Sequence, residues 1–465
     1  MRRLIILIFP LCLISLLLLC SCNEKEKEGT LLPKYDISCS VESDFSRIYV
    51  TENVDIYVDL TEPVSALPFR MDSLRYEKND MGAYFESERD KFSGGETLFG
   101  GVSVNGIAVQ PTISGNTVTL PLSEPVLSER LSINFGYTLL TPESETKYGR
   151  GDGSLKLFGC FPTLLPYRDN AFVTQNYALF SSEYGYAETE YQIKWFTDNS
   201  VSIATNLPVV NATIRDNQTV IECAGKSYSP GAVVTERQTE IAENFITDNV
   251  DLIPYAKNAV IQYSAILDVA TTDINTEIKM VSVPLRSDFL TIGNVVMINE
   301  KLHGTVLIEA VYEGIAATYF YGAAATDDST WISEGLPYFL SEYRLRAAGK
   351  DDEYAAALGS DRALITSTME FLRGYDPQYV SFPAMPAEKF ISLPEYNAMI
   401  RGGTAVAFDE ILNAFGEKKL TKALRSLIPV VPMTTDEAIA KLSKALGGSS
   451  EKTLKSYLQS GELFI

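Results

Sequence analysis

The sequence predicts an α+β protein with two domains, a β-rich N-terminal part and a mostly helical C-terminal part. Between residues 35 and 245, stretches with alternating apolar and polar residues are rich in β-branched side chains and separated by Gly, Asn and Pro, which is typical of antiparallel strands. Between residues 246 and 465, apolar residues recur at helical spacing. A chain of 465 residues with 46% hydrophobic composition has enough material for two sizeable cores.

The first residues have the features of a bacterial lipoprotein signal. Two arginines precede an apolar run over residues 4–19, which is shorter than the ~20 residues a membrane-spanning helix needs. The sequence LCSC at 19–22 fits a lipobox, so we expect residues 1–22 to be the signal peptide and Cys22 to carry the lipid. The alternative is an uncleaved membrane helix. Residues 23–34, which begin NEKEKEG, are expected to be a charged tether.

The predicted location is therefore the extracytoplasmic face of the cell membrane, either periplasmic or at the surface.

A formal net charge of −21 argues against nucleic-acid binding, because phosphates are neutralised by basic patches. Three cysteines lie beyond the signal, Cys39, Cys160 and Cys223, so at most one intramolecular disulfide is possible. Disulfides are not expected to hold this fold together.

The N-terminal domain, residues 35–245, is predicted to be an antiparallel β-sandwich or saddle. Residues 80–100 are expected to form a polar insertion or loop. The strand-like segments are YDISCSV, RIYVTENVDIYVDL, GVSVNGIAV, NTVTLPL, RLSINFGYTLL, TEYQIKWF and SVSIATN.

The C-terminal domain, residues 246–465, is predicted to place one buried strand among helices. Residues 277–285, EIKMVSVPL, are expected to be the strand, and residues 305–321 a helix buried on most sides. A second helix should run through WISEGLPYFLSEY. Further helices are expected at 250–267, 351–375, 394–416, 417–428, 435–448 and 450–461.

The segment WISEGLPYF resembles the W-L-N-E-G-F-A segment of the gluzincin aminopeptidases related to membrane alanyl aminopeptidase. In that family the glutamate is the third zinc ligand, and the matching residue here is Glu334. Residues 35–58, the segment CFPTLLPYRDNAF and the last two helices are also similar to the family, so the resemblance covers nearly the whole mature chain. It implies a thermolysin-like, mostly helical gluzincin domain after the N-terminal sandwich.

The same resemblance implies a degenerate active site. Alignment on a shared glycine puts Gly314 and Thr318 at the two histidines of the family's H-E-x-x-H motif and Ile315 at its general-base glutamate. Met399 aligns with the tyrosine that stabilises the tetrahedral intermediate, and residues 286–302, RSDFLTIGNVVMINEKL, take the place of the family's Gly-x-Met-Glu-Asn strand without that motif.

Zinc of this class needs two imidazoles and a carboxylate, with a glutamate that activates the bound water. The chain contains one histidine, His303, which is expected to be a surface or capping residue. The sequence therefore predicts that zinc is absent and that no other cofactor is bound.

We interpret these patterns as a peptidase-like protein without peptidase activity. Glu334, Tyr319, Tyr321 and Tyr396 are expected to line a residual cleft, with Tyr396 as the nearest substitute for the missing catalytic hydroxyl. An open cleft would favour binding of a peptide or an envelope-protein partner. A filled cleft would favour a structural or assembly role in a membrane complex, with Glu334 as a packing residue. An active hydrolase that uses other residues is the third alternative.

Overall fold

A computed structural model describes residues 30–77, 94–168, 170–173, 187–215, 217–242, 245–270, 277–428 and 432–464. The predicted signal peptide, with Cys22, lies outside the described residues, as does most of the predicted 80–100 insertion. In the described part of the chain, no helix is long and apolar enough to cross a bilayer.

Most of the described N-terminal part is strand, as the alternating pattern predicts. The strands are β1 (Thr30–Val41), β2 (Arg47–Arg70), β3 (Glu96–Val104), β4 (Ile107–Ala108), β5 (Thr112–Ser114), β6 (Thr117–Leu140), β7 (Tyr148–Gly151), β8 (Ser154–Phe158), β9 (Thr163–Leu164), β10 (Tyr167–Arg168), β11 (Ala171–Phe172), β12 (Thr189–Asp198), β13 (Ser202–Thr205), β14 (Val209–Arg215), β15 (Gln218–Ser227), β16 (Gly231–Thr235), β17 (Glu240–Ala242), β18 (Phe245–Thr247), β19 (Ile278–Val283), β20 (Phe289–Ile292) and β21 (Val295–Asn299).

A ten-stranded sheet forms the N-terminal domain, with strand order β14-β15-β12-β1-β2-β6-β3-β4 and with β5 and β9 paired to β6 and β2. Its pairings are antiparallel except for β1 with β12, which run parallel. Strand β1 begins at Thr30 and pairs with β2 from that residue onward. Residues 30–34 therefore belong to the sheet, and the predicted tether was too long at its C-terminal end.

Two smaller sheets connect this domain to the helices. Strands β13, β16, β8 and β7 form an antiparallel sheet, and a mixed sheet has the order β17-β18-β19-β21-β20. Strand β17 was assigned to the N-terminal domain by the sequence, yet it pairs in the mixed sheet. A shared apolar core lies between the two sheets, built from Phe158, Ala204, Val233, Val281, Val283, Leu285, Ile292, Val295 and Met297.

The C-terminal part is helical beyond the mixed sheet. The α-helices are α1 (Ile253–Leu267), α2 (Gly304–Thr318), α3 (Leu336–Ala347), α4 (Asp351–Arg373), α5 (Leu393–Asn397), α6 (Thr404–Phe415), α7 (Glu417–Arg425), α8 (Thr435–Leu446) and α9 (Glu451–Gln459). Helix α2 ends three residues before the predicted end. Two π-helical turns, Trp331–Gly335 and Ala398–Gly403, lead directly into α3 and α6.

Trp331 anchors the first π-helical turn in the helical core. Its side chain is fully buried, and its indole N–H donates a 3.1 Å hydrogen bond to Thr435 Oγ1. Its ring packs against Phe408 at 6.1 Å between centroids. Because both ends of the indole are held, the backbone that carries Glu334 is fixed against α6 and α8.

Candidate functional site

The two π-helical turns cross at the candidate site. A Cβ atom placed on Gly335 would collide with the Ile400 carbonyl oxygen and with Thr404 Oγ1, so the crossing requires glycine at this position. The first turn carries Glu334, and the second carries Met399 and Arg401. π-Helical turns are rare in proteins, but those that occur are often found at functional sites. The extra residue in the turn changes the direction of the side chains that follow.

Glu334 is joined to Tyr396 by a hydrogen bond. The Tyr396 hydroxyl donates to Glu334 Oε1 at 2.8 Å. Glu334 is half-buried, whereas Tyr396 is fully buried and packs its ring against Phe390 at 5.2 Å between centroids. Tyr396 thus places a hydroxyl beside Glu334, one helical turn before Met399.

An ion pair between Glu313 and Arg401 lies beside this contact. Arg401 Nη2 is 2.6 Å from Glu313 Oε2, and the guanidinium lies 4.7 Å from the centroid of the Tyr338 ring. The Glu313 side chain is 10% exposed and that of Arg401 is 32% exposed. Burial raises the pKa of Glu313 to about 7, against the opposing effect of Arg401, while Asp288 and Glu334 add to the rise.

On helix α2, Glu313 rather than Gly314 lies on the face toward Arg401. A Cβ atom on Gly314 would meet Val296 Cγ1 at 2.6 Å and Phe289 at 3.4 Å, so this position faces the mixed sheet. The Thr318 hydroxyl donates to the Ile315 carbonyl at 2.7 Å, and Ile315 is fully buried. The position that faces the π-helical turns is Glu313. This corrects the predicted placement of Gly314 toward Glu334, and Thr318 lines the cavity that also contains Tyr321.

The remaining predicted cleft residues lie apart from Glu334. Tyr319 packs its ring against Tyr263 on α1 at 6.1 Å and is 3% exposed. Tyr321 contacts the Tyr228 ring at 6.4 Å and lines a separate cavity of about 240 Å³ between the two domains. Met399 is fully buried in the helical core. Of the four predicted cleft residues, the structure brings only Glu334 and Tyr396 together.

No model of a protein family matches this sequence, and no curated protein matches it either. The chain is similar in structure to the M1 zinc metallopeptidase from Deinococcus radiodurans, with a TM-score of 0.63 and 14% identity over 93% of this chain and 94% of that one. A mutant of that enzyme bound to a Tyr-Ser-Ala substrate gives a TM-score of 0.62 at 14% identity, over 94% and 95% of the two chains. The fold is that of the M1 zinc metallopeptidases.

The side chains present do not fit the zinc ion that M1 enzymes carry. Within the described residues, no group of three His, Cys, Asp or Glu side chains is arranged to hold a metal ion. The single histidine, His303, is exposed at the N-terminus of α2, at the opposite end of the helix from Thr318. Beside Glu334 this chain carries the guanidinium of Arg401, whose fixed positive charge repels a second cation.

Sequence reasoning missed Glu313 and Arg401, although a signal was present. Glu313 interrupts the apolar helix α2, and Arg401 stands in the apolar run MIRGGTAVAF. A charge inside an apolar helix must find a partner, because burial of an unpaired charge is costly. Charges of opposite sign in two apolar segments, Glu313 and Arg401, therefore indicate an ion pair.

Proposed function

We propose that this chain is a lipid-anchored extracytoplasmic protein that keeps the M1 metallopeptidase fold without peptidase activity and binds a peptide or protein partner at the Glu334 site. The observation that carries this proposal is the Glu313–Arg401 ion pair beside the Glu334–Tyr396 hydrogen bond. An ion pair and a tyrosine hydroxyl can bind a ligand by hydrogen bonding. They do not supply the metal-activated water that M1-type hydrolysis needs.

The charge of the site favours a ligand that carries a positive group. Three carboxyl groups, Glu313, Glu334 and Asp288, act electrostatically on the site, against one guanidinium. Because Arg401 is already paired with Glu313 and the whole chain is acidic, an ammonium or guanidinium group on a peptide would be attracted. The solvent-accessible part of the site consists of the half-buried side chains of Glu334 and Arg401, so we expect a ligand to make a shallow, polar contact with the protein.

A second candidate function is a structural or assembly role in a membrane complex. It is favoured by the burial of the aromatic side chains: Tyr319 is 3% exposed, and Tyr396 is fully buried. In that case Glu334 serves only to satisfy the Tyr396 hydroxyl at the helix crossing. The two candidates differ in whether the isolated protein binds a peptide at this site.

Peptide binding separates the two candidates. A fluorescently labelled lysine-rich peptide should bind more tightly than a glutamate-rich peptide of equal length, and Glu334→Gln should weaken that binding. Glu129→Gln, at an exposed glutamate on β6, is the matched control and should leave binding unchanged. Equal weakening by both substitutions would indicate non-specific attraction to an acidic surface. Absence of binding by the wild type would favour the structural role.

Zinc content and hydrolysis test the absence of catalysis. Purified mature protein should carry substoichiometric zinc and leave aminoacyl fluorogenic substrates intact, because the donors around Glu334 are a guanidinium and a tyrosine hydroxyl. One tightly held zinc per chain, whose removal by a chelator lowers stability, would overturn this part of the proposal. Hydrolysis that survives the chelator would instead favour a hydrolase built from other residues.

A further inference from the structure

Two carboxyl groups lie close together beneath Arg401. Glu342 on α3 and Asp361 on α4 are 7% and 6% exposed and lie within hydrogen-bonding reach of each other. Tyr338, one helical turn before Glu342, donates its hydroxyl to Asp361 Oδ1 at 3.0 Å. The pair therefore sits between two packed helices, with one tyrosine hydroxyl as a shared neighbour.

The outer oxygens of both carboxyl groups lack a donor. Glu342 Oε2 and Asp361 Oδ2 are buried, and no side chain or backbone group in the described part of the chain donates a hydrogen bond to them. Two adjacent buried carboxyl groups cannot both ionise without a large cost, whereas one retained proton supplies the missing donor. We infer that Glu342 and Asp361 share one proton and that this pair positions Arg401 at the Glu334 site through Tyr338 and Gly402.

Two contacts connect the pair to Arg401. The Tyr338 ring, whose hydroxyl is bonded to Asp361, lies beneath the guanidinium. Gly402, the next residue in the second π-helical turn, rests on Asp361, since a Cβ atom there would lie 3.3 Å from Asp361 Oδ1. Asp361 thus supports both the ring below Arg401 and the backbone beside it. The effect of the Arg401 position on ligand binding rests on the proposed function. The shared proton between Glu342 and Asp361 does not.

The surrounding charges favour retention of the proton. Glu342 faces Asp361, Tyr338, Glu313 on α2 and Tyr354 on α4, and none of these groups is positively charged. Asp361 faces Arg401 as well. Burial raises the pKa of both Glu342 and Asp361, so the pair retains a proton.

Infrared spectroscopy tests the shared proton directly. A spectrum in D2O at about pH 8, where Glu313 with a pKa of about 7 is mostly ionised, should contain the C=O band of protonated carboxyl groups. Glu342→Gln should remove one component of that band, because the amide donates to Asp361 without titrating. Glu52→Gln is the matched control and should remove a different component, since burial raises the pKa of Glu52 well above its usual value.

The pKa of Glu313 reports on the position of Arg401. Because Arg401 lowers the pKa of Glu313, displacement of Arg401 should raise that pKa above about 7. Glu342→Ala should cause this rise, and Glu342→Gln should not. If Glu342→Ala fails to fold, Tyr338→Phe, which loses the hydroxyl link to Asp361, replaces it.

Two results would overturn the inference. Loss of only an ionised-carboxylate band in Glu342→Gln would exclude the shared proton, and an unchanged Glu313 pKa in the displacing variant would exclude the positioning role. Neither readout uses a peptide. A wild-type protein that binds no peptide would therefore contradict the proposed function while leaving the infrared result intact.

Discussion

The Tyr396 hydroxyl donates a 2.8 Å hydrogen bond to Glu334 Oε1, and this contact joins the two segments that cross at the candidate site. Glu334 belongs to the π-helical turn before α3, whereas Tyr396 lies in α5, just before the second π-helical turn. In a fold built around a zinc ion, a glutamate at this crossing would face a cation. Here it faces a phenolic hydroxyl and, nearby, the guanidinium of Arg401.

The first prediction concerns that hydrogen bond. Tyr396→Phe should lower the free energy of unfolding by about 0.5–1.5 kcal/mol, because it removes a donor to a half-buried carboxylate. Tyr319→Phe is the matched control. Its hydroxyl contacts only uncharged groups, the Val260 carbonyl oxygen at 3.5 Å and the Ser264 hydroxyl, so the loss should be smaller than that of a bond to a carboxylate. Urea unfolding measures both variants, and equal losses would contradict the assigned role of Tyr396.

The second prediction concerns pH. The pKa of Glu313 is raised by burial to about 7, so between the unfolded pKa of about 4.3 and the folded pKa the folded state holds a proton that the unfolded state has released. Stability contributed by the neutral carboxyl is present below that window and is lost as pH rises through it. Urea unfolding at several pH values should show a slope of at most about 1.4 kcal/mol per pH unit.

Glu313→Gln should flatten this slope because the amide does not titrate. At about pH 8 the variant carries no buried carboxylate, and its amide oxygen still accepts a hydrogen bond from Arg401. Glu309→Gln, at a glutamate that is 49% exposed and one turn earlier on α2, is the control and should retain the slope. A slope that persists in Glu313→Gln would show that another group titrates in this window.

Sequence patterns predicted strands β1, β2, β3, β6, β12, β13 and β19 and most helices, because these follow from local periodicity. They did not mark β14, β15, β16, β20 or β21. They did not predict the parallel pairing of β1 with β12, since alternation specifies which face is buried and not which strand is adjacent. Long-range pairing is fixed by packing of the whole sheet.

The helix register at the site could not be taken from the motif either. The assignment of Gly314 and Thr318 to the face toward Glu334 assumed regular helices and a fixed spacing to Glu334. The π-helical turn at Trp331–Gly335 adds a residue per turn and rotates the side chains after it, which the sequence does not show. The wide turn forms because Gly335 must contact the backbone of the second π-helical turn at Ile400, a tertiary constraint.

The third prediction concerns the N-terminal lipid, which lies outside the described residues. If LCSC is a lipobox, Cys22→Ala should abolish lipid labelling and block normal processing of the precursor. Metabolic labelling with a palmitate analogue measures this. Cys20→Ala, in the same segment, is the control and should retain the label. A label that persists in Cys22→Ala would exclude the lipobox assignment.

The last prediction uses zinc to test the register of α2. Positions 313 and 317 lie one turn apart on the helix face toward the π-helical turns, so Glu313→His with Ala317→His should place two imidazoles toward Glu334. Arg401→Met is added to both variants compared, since a guanidinium beside the imidazoles would repel the metal. The shifted pair, Gly314→His with Thr318→His, should bind zinc more weakly, because position 314 faces Val296 and the mixed sheet.

The shifted pair should also be less stable, since a side chain at position 314 must displace Val296 or Phe289, and overpacking of this kind costs about 1–3 kcal/mol. Zinc titration by calorimetry, with urea unfolding of the metal-free proteins, separates affinity from folding. The 313 and 317 pair should bind zinc only loosely, because tight zinc sites also need partners that hold each imidazole in orientation. Tighter binding by the 314 and 318 pair would mean that α2 has the motif register after all and that Glu313 does not face Glu334.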